Sequence, residues 1–347
     1  MGKTIDGLLI ALAVALGAIS TTVIFAANKS LALNQFFFWI FGLFAMYIAS
    51  HMFHITWQKY SLLLYVISIT ALLFVFLFGV QVRGSVRWID LGIFRFQPSE
   101  IAKVATVVLL ANYFVKRNAA NLNSLIFSLL LILPAFAMIF LQPDFGSALA
   151  ISAIWLGITF AAGIQKKHIV ILTIATITFS FFGYEILAPY QKARIATFLN
   201  PGVDPLGSGY NIIQSKIAAG SGQLLGRGLG LGSQSQLNFL PESESDFIFA
   251  SIAEQLGFLG AGLVIILSGA YLARLSTYLK NAERFNQLII AGSLSLFLYQ
   301  FTVNIGMNMG ILPVTGITLP FVSYGGSSLI SMLLLLGIIF STKTKNY

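Results

Sequence analysis

Cysteine is absent from this chain, which excludes disulfides, a thiolate nucleophile and any metal site built on cysteine. Charge is nearly as scarce. Asp, Glu, Lys and Arg make up 9% of the 347 residues while 57% are hydrophobic, so polar groups are too few to cover a water-soluble surface. Apolar and polar residues do not alternate along the apolar stretches, which excludes a membrane β-barrel. No internal repeat, no low-complexity segment and no polar stretch large enough for a soluble domain is visible.

What is present is a series of about ten apolar runs long enough to cross a hydrocarbon core, in a chain of mean hydropathy +0.88. The predicted spans lie near 7–27, 36–54, 61–78, 99–115, 124–141, 145–163, 168–189, 247–273, 285–308 and 325–342. The expected fold is all-α and integral to the membrane. It forms one polytopic domain over 1–347, with a large extracytoplasmic loop, 190–246, between the seventh and eighth helices. The first run follows Lys3 and is longer than a signal-peptide core, so it reads as a retained span.

Orientation follows from basic residues in short connections. Lys3, Lys59, Lys116, Arg117, Lys166, Lys167, Arg274, Lys280, Arg284, Lys343 and Lys345 fall on one side, which places both termini in the cytoplasm. The formal charge of +9 fits anchoring on an anionic inner leaflet, and nothing in it points to nucleic acid. With that orientation four polar, Gly- and Pro-rich stretches, 79–100, 141–147, 190–246 and 306–328, all face outward, and the inner loops are short.

In the first stretch, Pro98 suits an opening helical turn. Glu100 then lies near the positive helix end with Lys103 on the same face, either as a local salt bridge or as a buried pair lining a polar cavity. In the second, Asp144 can cap the next helix, or point with Gln142 into the cavity. The Gly-rich run from Gly220 to Ser233 matches neither a P-loop nor a dinucleotide turn. It reads as a flexible or re-entrant loop, or as backbone amides for a pyrophosphate. In the fourth, two prolines and several glycines interrupt an apolar region, as broken helices do where they line a cavity.

The most informative stretch is Leu240–Phe249, LPESESDFIF. It brings Glu242, Glu244 and Asp246 to the edge of a long apolar segment. Ionisable groups at membrane depth are retained where they pair, cap or do chemistry. Asp246 is an N-cap candidate for the helix that follows and the prime catalytic candidate. Glu254, eight residues on and about 12 Å deeper along a helix, is expected to meet a hydrogen-bonding partner from another span.

Taken in order, RWIDLGIFRFQPSE, QPDFGSAL, the run from RIATFLNP to GSQSQLNFLPE, DFIFASIAEQLGFLG and PVTGITLPFVSYGGSS resemble the SEDS family (shape, elongation, division and sporulation). The likeness covers nearly the whole chain, and SQSQLNFLPE and PVTG are closer to its RodA branch than to its FtsW branch. The resemblance implies a ten-span peptidoglycan glycosyltransferase of the bacterial cytoplasmic membrane, with an extracytoplasmic active site that joins lipid II units into β-1,4 glycan strands for cell elongation. It implies that Asp246 is the essential aspartate and that Glu100 and Lys103 form a functionally important pair. Arg87, Gln142, Asp144, Arg194, Gln214, Ser215, Glu242, Ser323, Tyr324 and Gly325 are the expected substrate-binding or supporting residues. The implied partner is a class B penicillin-binding protein. A divalent cation, Mg2+ or Mn2+, is a candidate cofactor with no ligand assigned. In one departure, Glu244-Ser245 stands where the family usually has His-Thr, and a like charge there would raise the pKa of Asp246.

The expected chemistry is a single displacement in which Asp246 takes the proton of an acceptor 4-OH. Arg87, Lys103, Arg194 or a divalent cation would balance the leaving pyrophosphate. A lipid flippase remains the rival from another class, because carboxylates and a broken helix also describe a carrier. A division-type polymerase and a non-catalytic scaffold for a membrane-anchored protein stay open as well.

Overall fold

The computed structural model describes residues 5–82, 85–90, 92, 95–183, 189–205, 207, 209–280 and 282–341. Its long helices follow the predicted spans. They are α1 (Gly7–Ala27), α2 (Lys29–His51), α3 (His54–Phe78), α4 (Pro98–Val115), α5 (Leu122–Leu141), α6 (Phe145–Ala161) and α7 (Lys166–Gly183). After the long loop come α11 (Ile248–Ser276), α12 (Arg284–Asn308) and α13 (Gly326–Ser341). Seven of these are long and apolar enough to cross a membrane, and α6 and α13 are shorter apolar helices.

Local chemistry sets the helix ends. Asp6, Asn28, Asn121 and Asp144 each cap the following helix with a side-chain oxygen that accepts from amides of the first turn, which satisfies otherwise orphaned donors. Pro98 occupies the first turn of α4.

The burial pattern separates two kinds of helix. On α2, Phe36, Phe37, Phe41 and Phe44 are exposed, as side chains facing lipid would be. By contrast α4 is enclosed over most of its length, including the polar Ser99, Glu100, Lys103 and Thr106, and every described residue of α13 but Ile330 and Leu334 is buried. Small residues let the backbones approach. A Cβ on Gly337 would lie 2.4 Å from the Met46 carbonyl oxygen of α2, and one on Gly17 of α1 would lie 2.1 Å from the Trp39 ring.

Two of the polar stretches are folded, and the first departs from the all-α expectation. The 79–97 stretch forms a three-stranded antiparallel sheet of β1 (Val80–Val82), β2 (Ser85–Asp90) and β3 (Arg95–Phe96). Val80 is in register with Trp88, and Ile89 with Phe96. The 190–246 loop carries three helices, α8 (Pro189–Leu199), α9 (Tyr210–Ser221) and the short α10 (Ser233–Gln236).

The span beginning at Ile248 is not a continuous helix. Gly257 has φ 68° and ψ −164°, a conformation open essentially only to glycine. The Gly-rich run re-enters at this break. Phe258 N donates to the Gln223 carbonyl at 2.8 Å, and Arg227 N donates to the Glu254 carbonyl at 2.9 Å, so the loop satisfies backbone groups that the break frees. A Cβ on Gly222 would fall 1.9 Å from the Ala253 carbonyl oxygen, and one on Gly257 would fall 2.3 Å from the Gly226 nitrogen. Only glycine permits that approach.

The four polar stretches gather at one end of the bundle. Gln236 Nε2 reaches the Ala26 carbonyl at 3.2 Å and Gln35 Nε2 the Ser323 carbonyl at 3.2 Å. The opposite, basic end is joined by Arg284 to the Ala161 carbonyl at 2.9 Å and by Arg274 to Asp6 at 2.7 Å.

Candidate active site

Asp246 lies in the turn that leads into α11, half-buried. The helix cap position falls on Phe247, so Asp246 is not the N-cap that its place before an apolar run predicts. The chain enters α11 through a tight turn instead: Ser245 N and Phe247 N both donate to the Glu242 carbonyl, at 3.1 and 3.0 Å. Glu242 itself has φ 56°, and its carboxylate accepts from Ser245 Oγ at 2.6 Å. Phe247, Leu240, Ala250 and Ala218 of α9 bury together beneath the turn.

Two asparagines on α12 fix the Asp246 backbone. Asn304 Nδ2 and Asn308 Nδ2 each donate to the Asp246 carbonyl at 3.0 Å. Asn304 also donates to the Ile317 carbonyl at 2.7 Å, and Asn308 Oδ1 accepts from Ala250 N at 3.0 Å. Both side chains are completely buried, where an amide is stable only with its partners in place. Sequence reasoning passed over them, although two asparagines one helical turn apart in an apolar span are a visible signal.

The segment between α12 and α13 closes over this turn. Ser323 Oγ donates to the Ser245 carbonyl at 2.6 Å, and Tyr324 N donates to the Glu244 carbonyl at 2.8 Å. Gly325 N points at Gln35 Oε1, 3.4 Å away. Phe321 holds φ 66°, which is strained for a bulky residue. Its ring is buried against Tyr271 and Phe297, at centroid distances of 5.2 and 5.6 Å. Gly316, φ 72°, lies against the carboxylate: a Cβ there would sit 3.5 Å from Asp246 Oδ2. Ser323 through its hydroxyl and Tyr324 through its main chain therefore support the Asp246 turn, while Gly325 contacts α2.

Ser215, fully buried on α9, donates to the Asn308 carbonyl at 2.8 Å, so it braces the residue that braces Asp246. Gln214 beside it is half-buried. The side chain of the exposed Lys216 runs along the Gly310 backbone, where an added Cβ would meet Lys216 Cε at 1.8 Å. This places a cation two residues from Asn308. Arg194 stands in α8, but its side chain lies outside the described residues.

A second cluster is built on the α5–α6 turn. Arg87 donates to the Gln142 carbonyl at 3.0 Å and to the Pro143 carbonyl, and its guanidinium lies 3.9 Å from Asp144 Oδ1. Asp144 caps α6 through Ser147 N at 3.2 Å and also accepts from Gln97 and Ser99. Gln142 turns its amide to the Leu72 carbonyl of α3, 2.8 Å away. The two clusters meet where α6 begins, since a Cβ on Gly146 would lie 2.9 Å from the Thr315 carbonyl oxygen. Ser327 adds a link, accepting from Gln97 N at 3.0 Å.

Glu100 and Lys103 are an ion pair of 2.9 Å with side chains 4% and 1% exposed. Ser331 of α13 approaches the second Glu100 oxygen at 3.4 Å. Enclosed in this way, Lys103 neutralises Glu100 and offers no charge to the surface. Glu254 is fully buried and its two oxygens accept from Gln234 N at 2.8 Å and Ser235 N at 3.0 Å. Its partners come from the long loop and not, as expected, from another span; the carboxylate anchors α10 beside the re-entrant run.

A family model described as cell cycle protein, covering FtsW, RodA and SpoVE, matches residues 4–347. The chain is 41% identical over 295 residues to peptidoglycan glycosyltransferase MrdB of Escherichia coli (strain K12), across 83% of this chain and 78% of that one. Among solved structures, a chain from work on the structural coordination of polymerization and crosslinking by a peptidoglycan synthase complex superposes with a TM-score of 0.84. It is 29% identical, with 96% of each chain covered. The rod shape determining protein RodA of Thermus thermophilus gives a TM-score of 0.74 at 26% identity, with 98% of each chain covered.

Proposed function

Because the chain belongs to the FtsW/RodA/SpoVE family of cell cycle proteins, we propose that it is a peptidoglycan glycosyltransferase whose reacting centre is Asp246. The observation that carries this assignment is the set of contacts converging on the Asp246 turn. Two buried asparagines hold the Asp246 backbone, a left-handed glycine lies against its side chain, and the segment between α12 and α13 closes over the turn.

The substrate is a polyprenyl-pyrophosphoryl disaccharide-pentapeptide, lipid II. Asp246 accepts the proton of the acceptor sugar's 4-OH as that oxygen bonds to the donor's anomeric carbon. The anomeric carbon–oxygen bond to pyrophosphate breaks with inversion, which turns an α-linked donor into a β-1,4 link. General-base assistance of this kind contributes about 10²–10⁴-fold. Lys216, exposed and packed along the Gly310 backbone at the end of α12, would meet leaving-group charge. Arg87 holds the α5–α6 turn and Lys103 neutralises Glu100.

Among the described residues no group of three or more His, Asp or Glu side chains could hold a metal ion. A divalent cation, were one to take part with the substrate, would neutralise charge on the leaving pyrophosphate. The polar end faces outward and the basic end faces the cytoplasm of a bacterial inner membrane, as the basic residues of the short connections favour. Similarity to a chain of a complex that couples polymerization to crosslinking supports a class B penicillin-binding protein as partner.

The test is gel analysis of lipid II incubated with purified protein, with and without the partner and with Mg2+ or Mn2+. Glycan strands from the wild-type chain are the expected product. Correctly folded protein that moves lipid II across vesicles but makes no strand under any of these conditions would favour the flippase reading.

A further inference from the structure

The basic end carries a cavity of about 740 Å³ between the start of α3 and the end of α4. Lys59 from α3 and Lys116 and Arg117 from the end of α4 line it, with no carboxylate among the lining residues. Among the described residues, none of the three cations pairs with an acid. Glu283 faces His54, at the start of α3, at 4.0 Å. Cations at a helix C-terminus are ordinarily explained by the helix dipole, which accounts for Lys116 and Arg117 but not for Lys59. Lys59 lies near the opposite, positive end of another helix and opens onto the same space. The α3 N-terminus also lacks a side-chain cap, so it adds partial positive charge to the three formal ones.

The walls are ordered. Asn112 Nδ2 ties α4 to α3 through the Gln58 carbonyl at 3.1 Å and Ser61 Oγ at 2.8 Å. The Arg117 guanidinium sits 4.3 Å from the Tyr113 ring centroid, and Tyr113 OH is fixed to the Ser124 carbonyl at 3.2 Å. Val115 lies just above Lys116 and Arg117 along α4, and the exposed Leu62, Leu63 and Val66 continue up α3 from Lys59 as an apolar track. Converging unpaired cations below a lipid-facing apolar track have the chemistry of a basic pocket between helices that takes a phosphate headgroup.

We propose that the cavity between α3 and α4 binds a phosphate-bearing anion, the headgroup of an anionic membrane lipid whose chains run along α3. The site is at the far end of the bundle from Asp246 and is independent of the reaction there.

The experiment measures apparent unfolding temperature of the full chain in neutral detergent, titrated with phosphatidylglycerol, phosphatidylcholine or inorganic phosphate. The test variant is Lys59→Gln/Lys116→Gln/Arg117→Gln. The control, Lys166→Gln/Lys167→Gln/Lys280→Gln, removes equal charge at the same end without touching the cavity. Saturable stabilisation by phosphatidylglycerol is expected, weakened about 10- to 100-fold in the test variant and little changed in the control, with phosphatidylcholine inert. Inorganic phosphate that binds wild type as well as the lipid does, and is lost in the test variant, would keep the anion site and assign it to a soluble phosphate. Equal weakening in both variants, or none in either, would overturn the site.

Discussion

The buried Glu100–Lys103 pair makes the sharpest quantitative prediction. The two groups are 2.9 Å apart, with 4% and 1% of their side chains exposed. Removing Lys103 alone, as Lys103→Met, strands an ionised or forcibly neutralised carboxylate beside Ser331, and removing Glu100 alone, as Glu100→Leu, strands an ammonium. Each should cost about 3–5 kcal/mol. Removing both leaves an apolar contact of similar volume, so the double variant should lose on the order of 1 kcal/mol or nothing. The coupling between the two positions, the double loss less the two single losses, is then about 5 kcal/mol or more in magnitude. Ranking the four proteins by apparent unfolding temperature in detergent reads this directly. Losses in the double variant that equal the sum of the single losses would refute the reasoning. Polymerisation supplies a second readout. An ion pair kept only for stability would let the double variant regain activity along with its fold. A charge pair retained at membrane depth is expected to serve the reaction, so the double variant should be stable and still poorly active.

Two further outcomes follow from the geometry. Asn304→Ala should leave the fold intact enough to bind lipid II but lower kcat by about 10²-fold, because the Asp246 turn loses its hold and small misplacements are expensive; an unchanged kcat with a raised KM would contradict a positioning role. At the basic end, burial alone would raise the Asp6 carboxyl, but hydrogen bonds from Tyr278, Arg274 and Leu9 N and the Arg274 charge outweigh it and bring it from 3.8 down to about 2. A lowered pKa in the folded state means that the contribution is complete above pH 3.8 and fades as pH falls toward 2. Thermal unfolding from pH 6 down to 2.5 should show Asp6→Asn less stable than wild type at the upper end, with the gap closing in acid; a gap independent of pH would mean that the carboxylate's charge is not what stabilises this end.

Much of the helical framework was legible in the chain because apolar length is a local property. The ten runs became helices, most of them close to the predicted bounds, although α2 and α3 begin well before the predicted 36 and 61, at Lys29 and His54. The polar stretches between them met at one end as the spacing of basic residues predicts. Contacts between distant backbones were not legible. Gly222, Gly226 and Gly257 read separately as loop or helix glycines, yet together they let a re-entrant run dock into a broken span. The β1–β3 sheet was hidden because its strands are short and lie beside spans whose apolar signal is far stronger. Asp144 caps α6, as one of its two readings had it, and also faces Arg87. Asp246 did not become a cap, because Phe247 takes that position and Asn304 and Asn308 hold the carbonyl before it. The inner loops looked chemically plain since Lys59 and Lys116 are far apart in sequence, and only the packing of α3 on α4 brings them to one cavity.

Asp246 as the proton acceptor is the central claim, and the most direct measurement is lipid II polymerisation by purified Asp246→Ala beside wild type, each with the crosslinking partner and a divalent cation. Loss of strand synthesis by about 10²-fold or more, with unfolding temperature and lipid II binding unchanged, is the predicted result. Full synthesis by a folded Asp246→Ala protein would contradict it and move the chemistry to another group.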